Sequence, residues 1–269
     1  MRALAWILAR LPLGLSAGMA GALAWIWWLV IPVRRRVAAE NLAAAFPELP
    51  PGPTLRRTFR ELALGYVELL HLDRGRLPGV RFEGHEALLA RGANGQGALL
   101  LAGHGGAWEL ALTGAARVLG MPLSIMVRAP AHPGSAALIE GLRARSGAEL
   151  LDPDGGFKAL LRSVRAGRIG VVTLDQRQNN GTPLPFFGRS AWTSRGIGVL
   201  ARRTGVPVYT VWQWRTGTGQ HVVRFGGPLA LPDDNDQATA TCLAWVEDQI
   251  RAHPHGWLWL HDRWKVPHE

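Results

Sequence analysis

The chain has 269 residues, enough for one large domain or two small ones with a sizeable core. Its formal net charge is +10, and all of its basic residues except Lys158 and Lys265 are arginine, which suits phosphate, an anionic membrane or an acidic protein as partner. The single cysteine, Cys242, excludes an internal disulfide and a cysteine-based zinc cluster, and we expect it to be buried.

The N-terminal segment has the composition of a membrane-spanning helix. Residues 11–33 contain no charged side chain, and as a helix they would extend about 34 Å, enough to cross a bilayer core. Arg34, Arg35 and Arg36 follow at once and favour a cytoplasmic C-terminal side. We predict a membrane anchor over residues 1–36. An interfacial or buried helix is the alternative; a cleaved signal peptide is disfavoured by the length of the run and by the arginines after it.

Residues 37–269 are predicted to form a single α/β domain. Strand patterns alternate with helix patterns after residue 79, which favours a mostly parallel central sheet flanked by helices. In such sheets the ligand site lies at the carboxyl ends of the strands. The predicted helices are 41–46, 54–72, 85–91, 107–119, 135–146, 157–166, 195–204 and 236–252, and the predicted strands are 98–102, 123–127, 169–174, 206–212 and 222–225.

A candidate general base follows the buried strand at 98–102. His104 lies in a turn between glycines, and Glu109 lies in the first turn of the helix that follows. If Glu109 points back toward the imidazole, it can orient a base that takes a proton from a hydroxyl. The glycines would let a bulky substrate approach. The alternative is a structural histidine that caps the turn, with Glu109 on the surface.

The C-terminal segment offers two further interpretations. His253, His255, His261 and His268 do not have the spacing of a compact tetrahedral site, so we expect no metal. Trp257, Trp259 and Trp264 are either a lipid-facing surface or core residues. The alternation at residues 257–260 suits a strand with apolar residues on both faces, which favours the core.

Four ordered blocks together resemble one family. They are residues 41–48, the His104-x4-Glu109 motif, a central block from Asp175-Gln176 through Thr193 to Leu200-Ala201, and residues 257–265. They are similar to the bacterial lipid A biosynthesis acyltransferases, the late lauroyl and myristoyl transferases, within the wider glycerolipid acyltransferase superfamily. The resemblance extends from about residue 10 to residue 268.

The resemblance implies an enzyme of the bacterial inner membrane with its catalytic domain on the cytoplasmic face. It would move a fatty acyl chain from an acyl-carrier protein or acyl-CoA thioester to a hydroxyl of a lipid acceptor, a lipid A precursor, without a cofactor. His104 would be the base and Glu109 its partner. Oxyanion stabilisation would come from backbone N–H groups near Gly105 and Gly106 or from Arg145. The residues assigned to substrate binding are Arg145, Asp175, Gln176, Arg128 and Thr193.

Other functions stay open at this stage. Residues 176–180 depart from the sequence of many family members, and superfamily relatives acylate lysophospholipids, ornithine lipids or glycolipids. A membrane-anchored lipid-binding protein without chemistry would also use arginines. Nucleic-acid binding is disfavoured because the arginines are scattered among acidic and apolar segments rather than gathered on one basic helix.

Overall fold

A computed structural model describes residues 2–30, 34–75, 79–127, 133–152 and 154–266. Arg128, one of the residues assigned to substrate binding, lies outside these ranges. The helices are α1 (Arg2–Leu8), α2 (Leu13–Val30), α3 (Arg35–Ala45), α4 (Pro51–Asp73), α5 (Glu86–Ala93), α6 (Trp108–Val118), α7 (Pro133–Ala144), α8 (Gly156–Arg165), α9 (Gly196–Thr204) and α10 (Asn235–Ala252). The strands are β1 (Gly79–Glu83), β2 (Ala98–Ala102), β3 (Leu123–Met126), β4 (Glu149–Leu151), β5 (Ile169–Thr173), β6 (Thr182–Phe186), β7 (Arg189–Thr193), β8 (Val208–Gly217) and β9 (Gln220–Gly226).

Among the described residues, seven strands form one sheet in the order β1-β9-β8-β2-β5-β3-β4. All neighbouring pairs in this sheet are parallel except β8 and β9, which are antiparallel. The predicted mixed α/β fold with a mostly parallel sheet is therefore confirmed. Strands β6 and β7 pair separately as a hairpin. The sequence pattern did not predict this hairpin, because β6 contains two prolines and prolines argue against a strand.

The core lies on both faces of the sheet. All five residues of β2 are buried, and its side chains alternate between two hydrophobic clusters: Leu99 and Leu101 on one face, Ala98 and Leu100 on the other. Cys242 is also fully buried, as expected. A strand with both faces covered reads as a continuous apolar run, which is why β2 was predicted with its observed bounds.

The C-terminal tryptophans belong to the core. Trp257 and Trp259 are fully buried and pack edge-to-face on each other, and the Trp264 ring stacks on Phe186 of β6. The core interpretation is confirmed, but the predicted strand is wrong, because residues 257–264 follow a course of turns. Side chains from that course fill the space between the sheet and the hairpin.

Helix α2 has two different faces. Its small residues Ser16, Ala17, Ala20 and Ala24 are buried, and Ala17 and Ala20 share a hydrophobic cluster with Leu64 of α4. Most of its large apolar residues face outward: Leu15, Met19, Leu23, Trp25, Ile26, Leu29 and Val30. By length and composition α2 is able to cross a membrane, with a mean hydropathy of 1.6. The outward face is thus the one that would contact lipid.

Candidate active site

The site forms where two neighbouring parallel strands end. Strands β2 and β5 pair in register from Ala98 with Ile169 to Ala102 with Thr173. His104 follows the end of β2 by two residues, and Asp175 follows the end of β5 by two residues. The register alone therefore brings the imidazole and the carboxylate to the same edge of the sheet, the edge at which ligands bind in such folds.

Asp175 holds His104 through two contacts. Asp175 Oδ1 lies 2.9 Å from His104 Nδ1, and Asp175 Oδ2 accepts the backbone N–H of His104 at 2.6 Å. The same Oδ2 accepts the indole N–H of Trp257 at 2.8 Å. An ionised carboxylate only accepts hydrogen bonds, so Nδ1 carries the proton that points at Asp175. The neutral imidazole then has its lone pair on Nε2, where a base needs it.

The charge states fit this arrangement. Burial by itself would raise the pKa of Asp175, but the neighbouring His104 and the three hydrogen bonds lower that pKa to about 2. Burial would lower the pKa of His104, yet the charge and hydrogen bond of Asp175, helped by the charge of Glu109, bring that pKa above its ordinary value. The carboxylate is therefore ionised at neutral pH, and the imidazole is a stronger base than a free histidine.

Glu109 does not make the contact predicted for it. Its carboxylate accepts hydrogen bonds from Arg143 of α7, from Nε at 3.1 Å and from Nη2. The orienting contact to His104 belongs to Asp175, which follows a different strand. Glu109 acts on the imidazole only through its charge, and Arg143 opposes that effect. A residue five positions along the chain was the wrong partner because the sheet register supplies a closer one.

Arg145 lies away from His104. The arginine that contacts Glu109 is Arg143, which the sequence analysis did not assign to the site. Arg145 is exposed and donates two hydrogen bonds, 3.0 and 3.1 Å long, to Asp73. Asp73 also pairs with Arg117 in the last turn of α6, whereas Glu109 lies in the first turn, about 12 Å away along the helix. Arg143 is only 16% exposed beside Glu109. The two arginines are two residues apart and so point in different directions, which the Arg-Ala-Arg sequence could not reveal.

Thr193 also differs from its expected place. It is fully buried, and its hydroxyl donates to the carbonyl of Ala191 and accepts from the buried guanidinium of Arg263 at 2.6 Å. The hydroxyl proton and one acceptor lone pair are therefore used inside the protein, and the structure places Thr193 in the interior rather than at the substrate surface assigned to it. Gln176 is exposed directly after Asp175, at the same edge as the site.

The turn that carries His104 requires glycine at three positions, since a Cβ on Gly103 would also overlap the indole of Trp212. A Cβ on Gly105 would overlap the indole of Trp212, and Gly106 has a φ of 58° with Gln213 where its Cβ would be. The Gly106 N–H donates to the carbonyl of Gly256 at 2.7 Å. Within the described ranges, the Gly105 N–H has no acceptor. The turn thus sits tightly on β8, and one backbone donor beside the imidazole stays available.

A cleft opens beside this turn. It is a shallow, open cleft between α4 and the start of α6, lined by Leu62, Gly65, Tyr66, Gly106, Ala107, Trp108 and Glu109. The lining is mainly apolar, with a carboxylate at one side. In the described part of the chain, no three histidine, cysteine or acidic side chains cluster as a metal site would require.

The fold and the site define a class of protein: α/β proteins with a mostly parallel sheet and, at its ligand edge, an imidazole oriented by a carboxylate. The family comparison makes the class specific. The sequence model of the bacterial lipid A biosynthesis acyltransferases matches residues 1–266, so the chain belongs to that family and is an acyltransferase of lipid A biosynthesis. No curated protein sequence matches the chain significantly.

The His104–Asp175 pair predicts a pH dependence. A general base works when neutral, so kcat/KM should rise as pH passes above the raised pKa of His104. Asp175→Asn removes the charge that raises this pKa, so the rise should move to lower pH. The plateau should also fall at least about 10²-fold because the proton on Nδ1 is no longer fixed. Steady-state kinetics across pH measure both effects.

Asp236→Asn is the matched control for that experiment. Asp236 is a partly exposed carboxylate in the first turn of α10 that pairs with Arg195. Its loss should leave the profile and the plateau unchanged. A normal plateau and an unmoved profile in Asp175→Asn would remove Asp175 from the site.

Arg143 and Arg145 form a matched pair for a second prediction. In Arg143→Ala the charge of Glu109 persists while the opposing charge is lost, so the pKa of His104 should rise further and the kcat/KM profile should move to higher pH. Turnover at neutral pH should fall about tenfold or more. Arg145→Ala breaks an exposed pair worth at most about 1 kcal/mol and should change neither quantity. The reverse pattern would return the functional role to Arg145.

Proposed function

We propose that the protein transfers a fatty acyl chain from an acyl-carrier protein or acyl-CoA thioester to a hydroxyl of a lipid A precursor. The observation that carries the proposal is the Asp175–His104 contact, because it places the proton on Nδ1 and the lone pair on Nε2. The open cleft between α4 and α6 lies next to the turn that carries this imidazole, and its mainly apolar lining offers a surface along which an acyl chain can lie.

The chemistry needs one base. His104 Nε2 takes the proton of the lipid hydroxyl as its oxygen attacks the thioester carbonyl carbon. A C–O bond forms, and the tetrahedral intermediate then breaks its C–S bond. The imidazolium returns the proton to the departing sulfur, so the histidine ends the cycle neutral. Asp175 stays ionised throughout and stabilises the imidazolium.

The oxyanion of the intermediate needs a donor. Of the earlier candidates, the Gly106 N–H is bonded to the Gly256 carbonyl and Arg145 is bonded to Asp73, so these two are poorly placed for it. We assign this role to the Gly105 N–H, the backbone donor next to His104. Glu109 and Arg143 set the charge beside the imidazole and hold one wall of the cleft.

The donor and acceptor follow from charge and position. A net charge of +10 favours an acidic carrier protein and a phosphate-bearing acceptor, through steering and bidentate arginine contacts. Helix α4 lines the cleft with Leu62 and Tyr66 and packs against α2 on another face. A lipid acceptor could thus pass from the membrane along α4 to His104. With arginines directly after α2, we place the domain at the cytoplasmic face of the bacterial inner membrane.

The direct test is lipid mass spectrometry combined with a purified assay. Expression of the protein should add one acyl chain to a lipid A precursor, and His104→Ala should abolish the added mass. In the assay, His104→Ala should lower turnover at least about 10²-fold with the protein still folded, since His104 lies at the mouth of the sheet. His85→Ala, at the start of α5, is the matched control and should keep full turnover.

The outcomes separate the candidate functions. Near-full acyl transfer by His104→Ala would contradict the base mechanism. An added chain on a lysophospholipid, an ornithine lipid or a glycolipid would keep the chemistry and change the acceptor. Lipid binding without transfer in the wild type would indicate a binding protein.

Membrane association should depend on the outward face of α2. Met19 and Leu23 lie near the middle of α2, on its exposed side. An aspartate at the centre of a spanning helix costs about 2.5–3.5 kcal/mol, so Met19→Asp with Leu23→Asp should move much of the protein out of the membrane fraction. The double variant Val118→Asp with Val266→Asp changes exposed apolar residues elsewhere and should stay with membranes. Equal membrane fractions for both variants would show that another surface dominates.

A further inference from the structure

A chain of buried polar groups runs beneath the catalytic turn. Arg215 of β8 pairs with Glu61 and Glu68 of α4, and all three side chains are at most 7% exposed. His221 of β9 is fully buried, and its Nε2 lies 3.0 Å from Glu68 Oε2. His221 Nδ1 in turn contacts Gln213 Nε2. None of these groups has a part in the acyl-transfer chemistry described above, and burying them is costly unless each is paired.

Gln213 connects this chain to the turn. Its Oε1 accepts the backbone N–H of Ala107, and it occupies the space where Gly106 would carry a Cβ. Ala107 is the residue before α6, and it has no side chain able to cap the helix. In a capping box, a glutamate or glutamine of the same helix reaches back to this N–H. Here a glutamine from β8 occupies that place.

The buried charges fix the direction of the Gln213 amide. Because Oε1 accepts from Ala107, the amide Nε2 must be the donor to His221 Nδ1. His221 then carries its proton on Nε2, which points at Glu68. Arg215 balances the charge of Glu68 on its other side. A flipped amide would put two donors face to face at Ala107 and break the chain.

We propose that Gln213 is a positioning residue for the acyl transfer, holding the backbone between His104 and α6 in the place that catalysis needs. The inference rests on the proposed function. Gln213 fixes Ala107 and the Gly256 carbonyl fixes Gly106, so the two peptide groups after Gly105 are held from different sides. That constraint sets the orientation of the Gly105 N–H and the position of the imidazole above the end of β2. A displacement of about 1 Å at such a site costs as much as 10²-fold in rate.

The experiment compares three variants with the wild type. Gln213→Met keeps the volume and removes both hydrogen bonds. Gln213→Glu keeps an oxygen acceptor for the Ala107 N–H. Ser163→Ala is the control, since it also removes a buried hydrogen bond, to Ser124 at another part of the sheet. Each full-length protein is studied by hydrogen exchange of the peptide covering residues 103–109 and by kcat and KM for both substrates.

Gln213→Met should speed exchange in residues 103–109 and lower kcat by about 10- to 100-fold, with both KM values within about twofold of wild type. Gln213→Glu keeps the acceptor for the Ala107 N–H but loses the donor to His221 Nδ1, so it should slow exchange relative to Gln213→Met and recover kcat only in part. Ser163→Ala should leave exchange in these residues and kcat unchanged. If Gln213→Met does not fold, Gln213→Asn makes the same comparison, because its shorter side chain cannot reach both partners.

Three results would overturn the proposal: wild-type exchange in Gln213→Met, fast exchange with unchanged kcat, or a loss confined to KM. If the wild-type protein transfers no acyl group at all, the proposed function fails. The exchange comparison then still decides whether Gln213 holds the turn.

Discussion

The register between β2 and β5 is the constraint on which the site depends. It places the last residues of two buried strands, Ala102 and Thr173, side by side. His104 and Asp175 each lie two residues beyond these ends. His104 and Asp175 meet there, 71 residues apart in sequence, with the Trp257 indole as third partner of the carboxylate. A slip of one residue along either strand would turn every side chain to the opposite face and separate the pair.

Among the described residues near this contact, three groups of paired charges bear on the site. Asp175 and His104 form the first, Glu109 and Arg143 the second, and the Glu61–Glu68–Arg215–His221 chain the third. The first raises the basicity of the imidazole, and the second adjusts it from the wall of the cleft. The third lies deeper and reaches the turn that carries His104 through Gln213, which accepts the Ala107 N–H. Burial makes each group costly to disrupt, which suits a site that must keep its geometry beside a lipid.

Helix α4 links the site to the part of the chain that could meet a membrane. One face of α4 lines the cleft with Leu62, Gly65 and Tyr66, another packs on the small residues of α2, and Glu61 and Glu68 reach β8 and β9. Family membership is shown for nearly the whole chain, including the segment of α2. In our proposal, the same helix that supports the catalytic turn also guides the acceptor to it.

The sequence by itself determined the strand-Gly-His-Gly-Gly-helix turn, the α/β alternation and the family. These depend on local chemistry: a continuous apolar run predicts a buried strand, and glycines at its end permit a tight turn. It also placed Asp175 correctly after a strand. Only the tertiary structure decided that Asp175 rather than Glu109 holds His104, that Arg143 rather than Arg145 lies at the site, and that Thr193 is used internally. Each of these depends on which strands are neighbours or on the direction of a side chain, and single-sequence spacing contains neither.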